Sequence, residues 1–89
     1  SVMFANMGAA EVKYLLPLAQ QLRGIGVACE IYPEQAKLKK QFEYADKKAI
    51  RDVVVAGGDE MANGTVSVKN LESGEQKNLV YDEFVGHFS

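Results

Sequence analysis

The sequence predicts an α/β fold: a three-layer α/β/α sandwich with a five-stranded mixed sheet of order 2-1-3-4-5, strand 4 antiparallel, and three helices. Three observations carry this. Short apolar runs alternate with helix-period segments over the first half of the chain, which makes two βαβ units, and such crossovers are right-handed and give parallel strands. The run "DVVVAG", Asp52 to Gly57, is almost continuously apolar and β-branched, as a central strand covered on both faces must be. Beyond it, two alternating runs separated by turn signals read as hairpins that extend the sheet.

Each element follows from its residues. "SVMFAN", Ser1 to Asn6, is a first strand ended by Asn6-Met7-Gly8. Val12, Leu15, Leu16, Ala19 and Leu22 then recur at helical spacing, and Arg23-Gly24 closes that helix with a cation and a glycine cap. Pro17 lies inside the pattern and predicts a kink or a later start, because it removes one helical hydrogen bond. "VACEIY", Val27 to Tyr32, is a second strand, and Glu30 on one of its faces places it at a sheet edge. Ala36 to Ala49 is a second helix with Leu38, Phe42, Ala45 and Ala49 inward. "GGDEMANG" is a turn, "GTVSVKNL" a fourth strand with Val66 and Val68 facing opposite to Thr65, Ser67 and Lys69, "ESGE" another turn, and Gln76 to Val80 the last strand. Tyr81 to Phe88 closes the chain as a helix, with Phe84, Val85 and Phe88 inward and Asp82 at its N-cap.

Composition bounds the function. Eighty-nine residues, 47% hydrophobic and 25% charged, make a single globular domain spanning residues 1–89. Because the chain begins at Ser1 and not at Met, it reads as a domain of a longer protein. One cysteine, Cys29, excludes an internal disulfide and reads as a buried thiol in a reducing compartment. No run is long enough to cross a bilayer, and no secretory signal is visible, so a cytoplasmic location is expected.

In an open α/β sheet, ligands bind beyond the carboxyl ends of the strands where the order reverses. Asn6-Met7-Gly8 and Gly57-Gly58-Asp59-Glu60 line that place, with Tyr32 and the start of the second helix beside it. No phosphate-loop motif follows a strand, the adjacent carboxylates Asp59 and Glu60 lack a partner ligand, and His87 is the lone histidine. No catalytic residue set and no metal site can be assembled, and no cofactor is expected in this domain. The second helix is a different matter. Six of the ten Lys and Arg residues fall between Lys37 and Arg51 in a chain of net charge −2. Lys37, Gln41, Tyr44 and Lys48 share one stripe at about 100° per residue. Cations, an amide and an aromatic ring are the mix that single-stranded RNA recognition uses. The alternative is a small-ligand or protein-interaction domain whose basic helix is merely solvated, since Lys39–Glu43 and Glu43–Lys47 are ordinary i, i+4 pairs.

Taken in order, "LPLAQQLRGIGVACEIY", "LKKQFEYADKK" and "VVVAGGDEMANGTVSVKNLESGEQ" resemble the C-terminal anticodon-binding domain of histidyl-tRNA synthetases over nearly the whole chain. The resemblance implies a five-stranded mixed sheet flanked by three helices, and a partner in the anticodon stem-loop of histidine tRNA. It implies a homodimeric parent enzyme in which a separate catalytic domain holds ATP and Mg²⁺. In the wider group of related synthetases, an acidic residue after strand 3 and a basic residue on strand 4 contact anticodon bases, and Glu60 and Lys69 match those positions by spacing. With Asn6, Tyr32, Lys37, Gln41 and Tyr44, placed by the geometry above, they make up the expected RNA-binding set.

Overall fold

The computed structural model describes residues 1–88. The strands are β1 (Val2–Phe4), β2 (Cys29–Ile31), β3 (Asp52–Val55), β4 (Thr65–Asn70) and β5 (Gln76–Val80). They form one sheet in the order β2-β1-β3-β4-β5, parallel from β2 to β3 and antiparallel from β3 to β5. The predicted topology holds, with Glu30 on the edge strand and the apolar β3 in the middle.

Helix α1 (Ala9–Gly24) lies on one face of the sheet, with the C-terminal segment beside it. Val2, Phe4, Val54, Val66 and Val68 meet Leu15, Leu18, Ala19, Leu22 and Phe84 there. Helix α2 (Leu38–Lys47) covers part of the other face, where Met3, Ala5, Tyr32, Ala45, Ile50 and Val53 form a second, smaller core. Alternation along β3 sends Val53 to one core and Val54 to the other, so both faces of the central strand are buried as its composition requires.

Several local expectations are corrected. Helix α1 begins at Ala9 and runs through Pro17 unbroken. Pro17 and Lys13, the residue whose carbonyl loses its partner, are both exposed, so water can take the place of the missing N–H. Leu16 turns out 40% exposed and Leu18 takes its place in the core. The cap glycine of α1 is Gly26 and not Gly24: it sits at φ 85°, with Gly26 N–H bonded to the Arg23 carbonyl and Val27 N–H to that of Leu22. Helix α2 is shorter than Ala36 to Ala49. "GGDEMANG" forms a one-turn helix, α3 (Gly58–Asn63), where a turn was expected. The C-terminal segment winds as two 3-10 turns, Tyr81–Glu83 and Val85–Phe88, and Asp82 is not an N-cap. Phe84 is nevertheless fully buried against Phe4, with ring centroids 6.0 Å apart. Cys29 is half-buried, its thiol 3.4 Å from the Ala19 carbonyl.

Ala49 is exposed, not part of the inner face of α2, and stands at φ 56°. Ala49 N–H bonds to the Asp46 carbonyl and Ile50 N–H to that of Ala45, so α2 ends in the same motif as α1 but with alanine where α1 has glycine. The left-handed region costs a residue with a Cβ about 1–2 kcal/mol, part of which glycine gives back through a freer unfolded chain. Ala49→Gly is expected to stabilise the fold by about 0.5–1 kcal/mol. Thermal unfolding followed by circular dichroism checks this, and an unchanged or lower midpoint would contradict it.

Candidate nucleic-acid interface

The sheet register lines up Glu30, Met3, Val53, Lys69 and Gln76 across β2, β1, β3, β4 and β5, on the face that α2 covers. Helix α2 sits over Met3 and Val53. At the β2 edge, Glu30 accepts a hydrogen bond from the Tyr44 hydroxyl at 2.9 Å. At the other end Lys69 and Gln76 lie beyond the helix. The result is a cleft of about 160 Å³ between α2 and β4–β5, lined by Leu38, Phe42, Val55, Glu60, Ser67, Lys69 and Gln76.

Glu60 and Lys69 both line this cleft. Glu60 arrives on the first turn of α3, where its Oε1 accepts the Gly57 N–H at 2.7 Å and so fixes the carboxylate. The junction of α3 with β4 is held from the other side of the sheet by Tyr14, whose hydroxyl donates to the Thr65 carbonyl at 2.9 Å. Burial first, then the charge of Tyr81 and nearby carboxylates, pushes the Tyr14 hydroxyl above its ordinary value, so it stays a donor. Lys69 does not pair with Glu60. Its ammonium lies 4.9 Å from the centre of the Phe42 ring, and the one ion pair among the described residues is Arg51–Asp52. Gln76 Nε2 donates to Ser67 Oγ at 2.8 Å, which places an amide at the cleft.

The basic strip does not act as one surface. Lys37, Lys39 and Lys40 are exposed around the N-terminus of α2, next in the chain to Leu38, which lines the cleft. Lys37 is the N-cap residue, no side chain caps this end, and the first turn holds no acidic residue. Three cations on the positive end of a helix dipole are an unfavourable arrangement that an anion relieves. Lys47, Lys48 and Arg51 lie at the far end, about 15 Å away. There Lys48 sits 5.7 Å from the Tyr44 ring centre, and Arg51 Nε bonds to Asp52 at 3.1 Å.

Of the expected stripe, Gln41 turns into the sheet and Tyr44 to its β2 edge, while Lys37 and Lys48 stay exposed. Gln41 is fully buried. Its Nε2 donates to the carbonyls of Asn6 and Ala36, both at 2.9 Å, and its Oε1 accepts the Asn6 N–H at 2.7 Å. The Asn6 side chain bonds in turn to the Tyr32 carbonyl and the Gly8 N–H. Tyr32 is 6% exposed and packs edge-on against Tyr44 at 5.2 Å. The bond to Glu30, ahead of burial, holds the Tyr44 hydroxyl above its ordinary value. Asn6, Tyr32, Gln41 and Tyr44 therefore form a tie between α2 and the end of β1 and β2, while Glu60 and Lys69 line the open cleft and Lys37 is exposed at the N-terminus of α2. Sequence reasoning missed Phe42, Ser67 and Gln76 as cleft residues. Phe42 had been read as a core position. The pairing of Lys69 with Gln76 that assembles the cleft wall appears only with the β4–β5 register.

Among the described residues, no group of three or more His, Cys, Asp or Glu side chains is placed to hold a metal ion. No helix among them is long and apolar enough to cross a membrane.

The family model described as "Anticodon binding domain" matches residues 1–89. A histidine–tRNA ligase from Phocaeicola vulgatus is 40% identical over 84 residues, which cover 94% of this chain and 18% of the relative. The crystal structure of histidyl-tRNA synthetase from Nostoc sp. superposes with a TM-score of 0.90 at 36% identity, over 98% of this chain and 21% of that one. The RNA binding domain of threonyl-tRNA synthetase from Cryptosporidium parvum superposes at 0.87 with 16% identity, over 99% of this chain and 22% of that one, a likeness of fold alone. The chain thus spans less than a fifth of the length of the curated relative it matches.

Proposed function

The chain belongs to the anticodon-binding domain family, and from that premise we propose that it grips the anticodon loop of histidine tRNA on behalf of a catalytic domain elsewhere in a longer ligase. The observation that carries the reading is the cleft between α2 and β4–β5, in which a fixed carboxylate, a lysine and an amide surround an aromatic ring beside an uncapped, lysine-flanked helix N-terminus. Phosphates would be held at Lys37, Lys39 and Lys40. Base edges would be read by Glu60 and Gln76, with Lys69 beside them on the cleft wall. Phosphate contacts set position while base contacts specify. A carboxylate repels phosphates, so Glu60 adds nothing to affinity for the backbone; it does accept hydrogen bonds from base amino and imino groups. The match over the whole chain favours this reading over a small-ligand or protein-interaction role. ATP, histidine and Mg²⁺ belong in this proposal to the catalytic domain, the present domain holds no cofactor, and the parent enzyme is a cytoplasmic homodimer.

Glu60→Gln tests the reading cleanly, because glutamine keeps an oxygen for the Gly57 N–H and removes only the charge. In the intact parent ligase, the variant is expected to charge histidine tRNA less well and to penalise an altered anticodon less. The lost discrimination should be about 1–3 kcal/mol for each base contact removed. An unchanged ratio of cognate to anticodon-variant charging would mean that Glu60 serves only as the cap of α3.

A further inference from the structure

We propose that Phe42 is the ring on which an RNA base stacks in the cleft, and that Lys69 occupies that ring in the free protein as a displaceable cap. The inference deepens the reading above and rests on it. Lys69 has a carboxylate lining the same cleft, yet its ammonium is on the Phe42 ring at 4.9 Å and not paired with Glu60. Phe42 is the one aromatic side chain in the cleft lining. It is half-buried, anchored by packing against the core under α2, so the ring is fixed before any ligand arrives. On its other side, Phe42 borders an open apolar groove shared with Leu38 and Leu71, which gives a flat ligand an approach to the ring.

The exchange has a favourable direction. A cation on an exposed ring in water is held weakly, whereas a base on an aromatic side chain gains more from stacking. The displaced ammonium does not go unpaired, because a bound RNA strand brings phosphates within reach of a flexible lysine. Glu60 is held by its cap bond to Gly57 and stays in place to meet the base edge, with Gln76 held beside Ser67 across the cleft. In the free protein, the cap keeps water-exposed aromatic surface covered.

Nuclear magnetic resonance on the 89-residue chain reads the exchange directly. In the free protein, the Lys69 ε-methylene protons should resonate upfield of those of the exposed lysines, through the ring current of Phe42. Saturation with an RNA hairpin carrying the histidine anticodon should return them to the position of exposed lysines, while the Phe42 ring protons move upfield. The amides of Lys37 and Lys40 report binding independently. If those amides shift while Lys69 stays upfield, the cap is overturned and the RNA-binding reading stands. If no resonance responds to the RNA, both fail. Salt titration gives a second measure. Lys69→Met should lower the slope of log affinity against log salt by about 0.7 if Lys69 moves to a phosphate, and an unchanged slope overturns the exchange. Phe42→Leu should weaken binding about tenfold and Phe42→Tyr should restore it; equal affinities for the two variants overturn the stacking role.

Discussion

Replacing Gln41 by leucine is expected to destabilise the domain by about 3 kcal/mol, although the two side chains are close in size. Gln41 satisfies three main-chain groups at once: the N–H and carbonyl of Asn6 and the carbonyl of Ala36. Leucine would leave all three without their partner at a fully buried position, and each stranded polar group costs about 1–3 kcal/mol. For a domain of this size, that corresponds to a melting midpoint lower by about 10–20 °C. Gln41→Glu adds a dependence on pH. A carboxylate in that position would be buried and set against two carbonyl oxygens, so its pKa in the folded state would be raised. A raised folded pKa means stability that is present in acid and lost as the pH climbs through it. Chemical denaturation at several pH values checks both variants. A Gln41→Leu protein as stable as its parent would show that water reaches these groups and that the tie between α2 and β1 is weak.

Binding of an anticodon hairpin by this chain is expected to fall steeply with salt, and reversing Lys37 and Lys40 together is expected to weaken it at least tenfold at low salt. Both lysines are exposed, so the change should leave the fold intact. They sit on the N-terminal turn of α2, where a phosphate gains from the cations and from the helix dipole together. Each phosphate neutralised on a single strand contributes about 0.7 to the slope of log affinity against log salt. The double reversal Lys47→Glu and Lys48→Glu is the matched control: it changes charge equally at the far end of the helix. Equal losses from the two pairs would return the basic strip to a solvated face with only a general field. A loss confined to Lys37 and Lys40 locates the RNA backbone at the rim of the cleft.

Strand order and the placement of both cores could be read from the chain because they rest on period and continuity. Alternation in Val27 to Tyr32 and in Thr65 to Lys69, and the unbroken run at β3, report which side chains leave water, and burial of apolar surface dominates the choice of fold. Local endings were less legible. Gly24 and Gly26 are both suitable stops for α1, and only packing of Val27 onto the core selects the second. Ala49 looked like one more inward residue because its spacing fits α2, but the helix ends before it in a left-handed turn. The short α3 was hidden in a turn-like composition, where a glycine-rich stretch says little about whether one helical turn will close.

What the sequence by itself determined about this protein is its sheet order, the burial of its strands and the clustering of positive charge. Only the tertiary structure decided which of the polar residues on α2 remain available. A helical wheel places Lys37, Gln41, Tyr44 and Lys48 together, but it does not say where the sheet lies beneath them. The sheet brings the unpaired main chain at the end of β1 under Gln41, and a buried N–H and carbonyl must be satisfied, so that amide is drawn inward. The same docking leaves Phe42 at the border of α2 and β4, where the β4–β5 register delivers Lys69 to its ring. Periodicity fixes the faces of each element separately; contact between elements, and the polar groups that contact strands or satisfies, assign those faces to the fold or to a ligand.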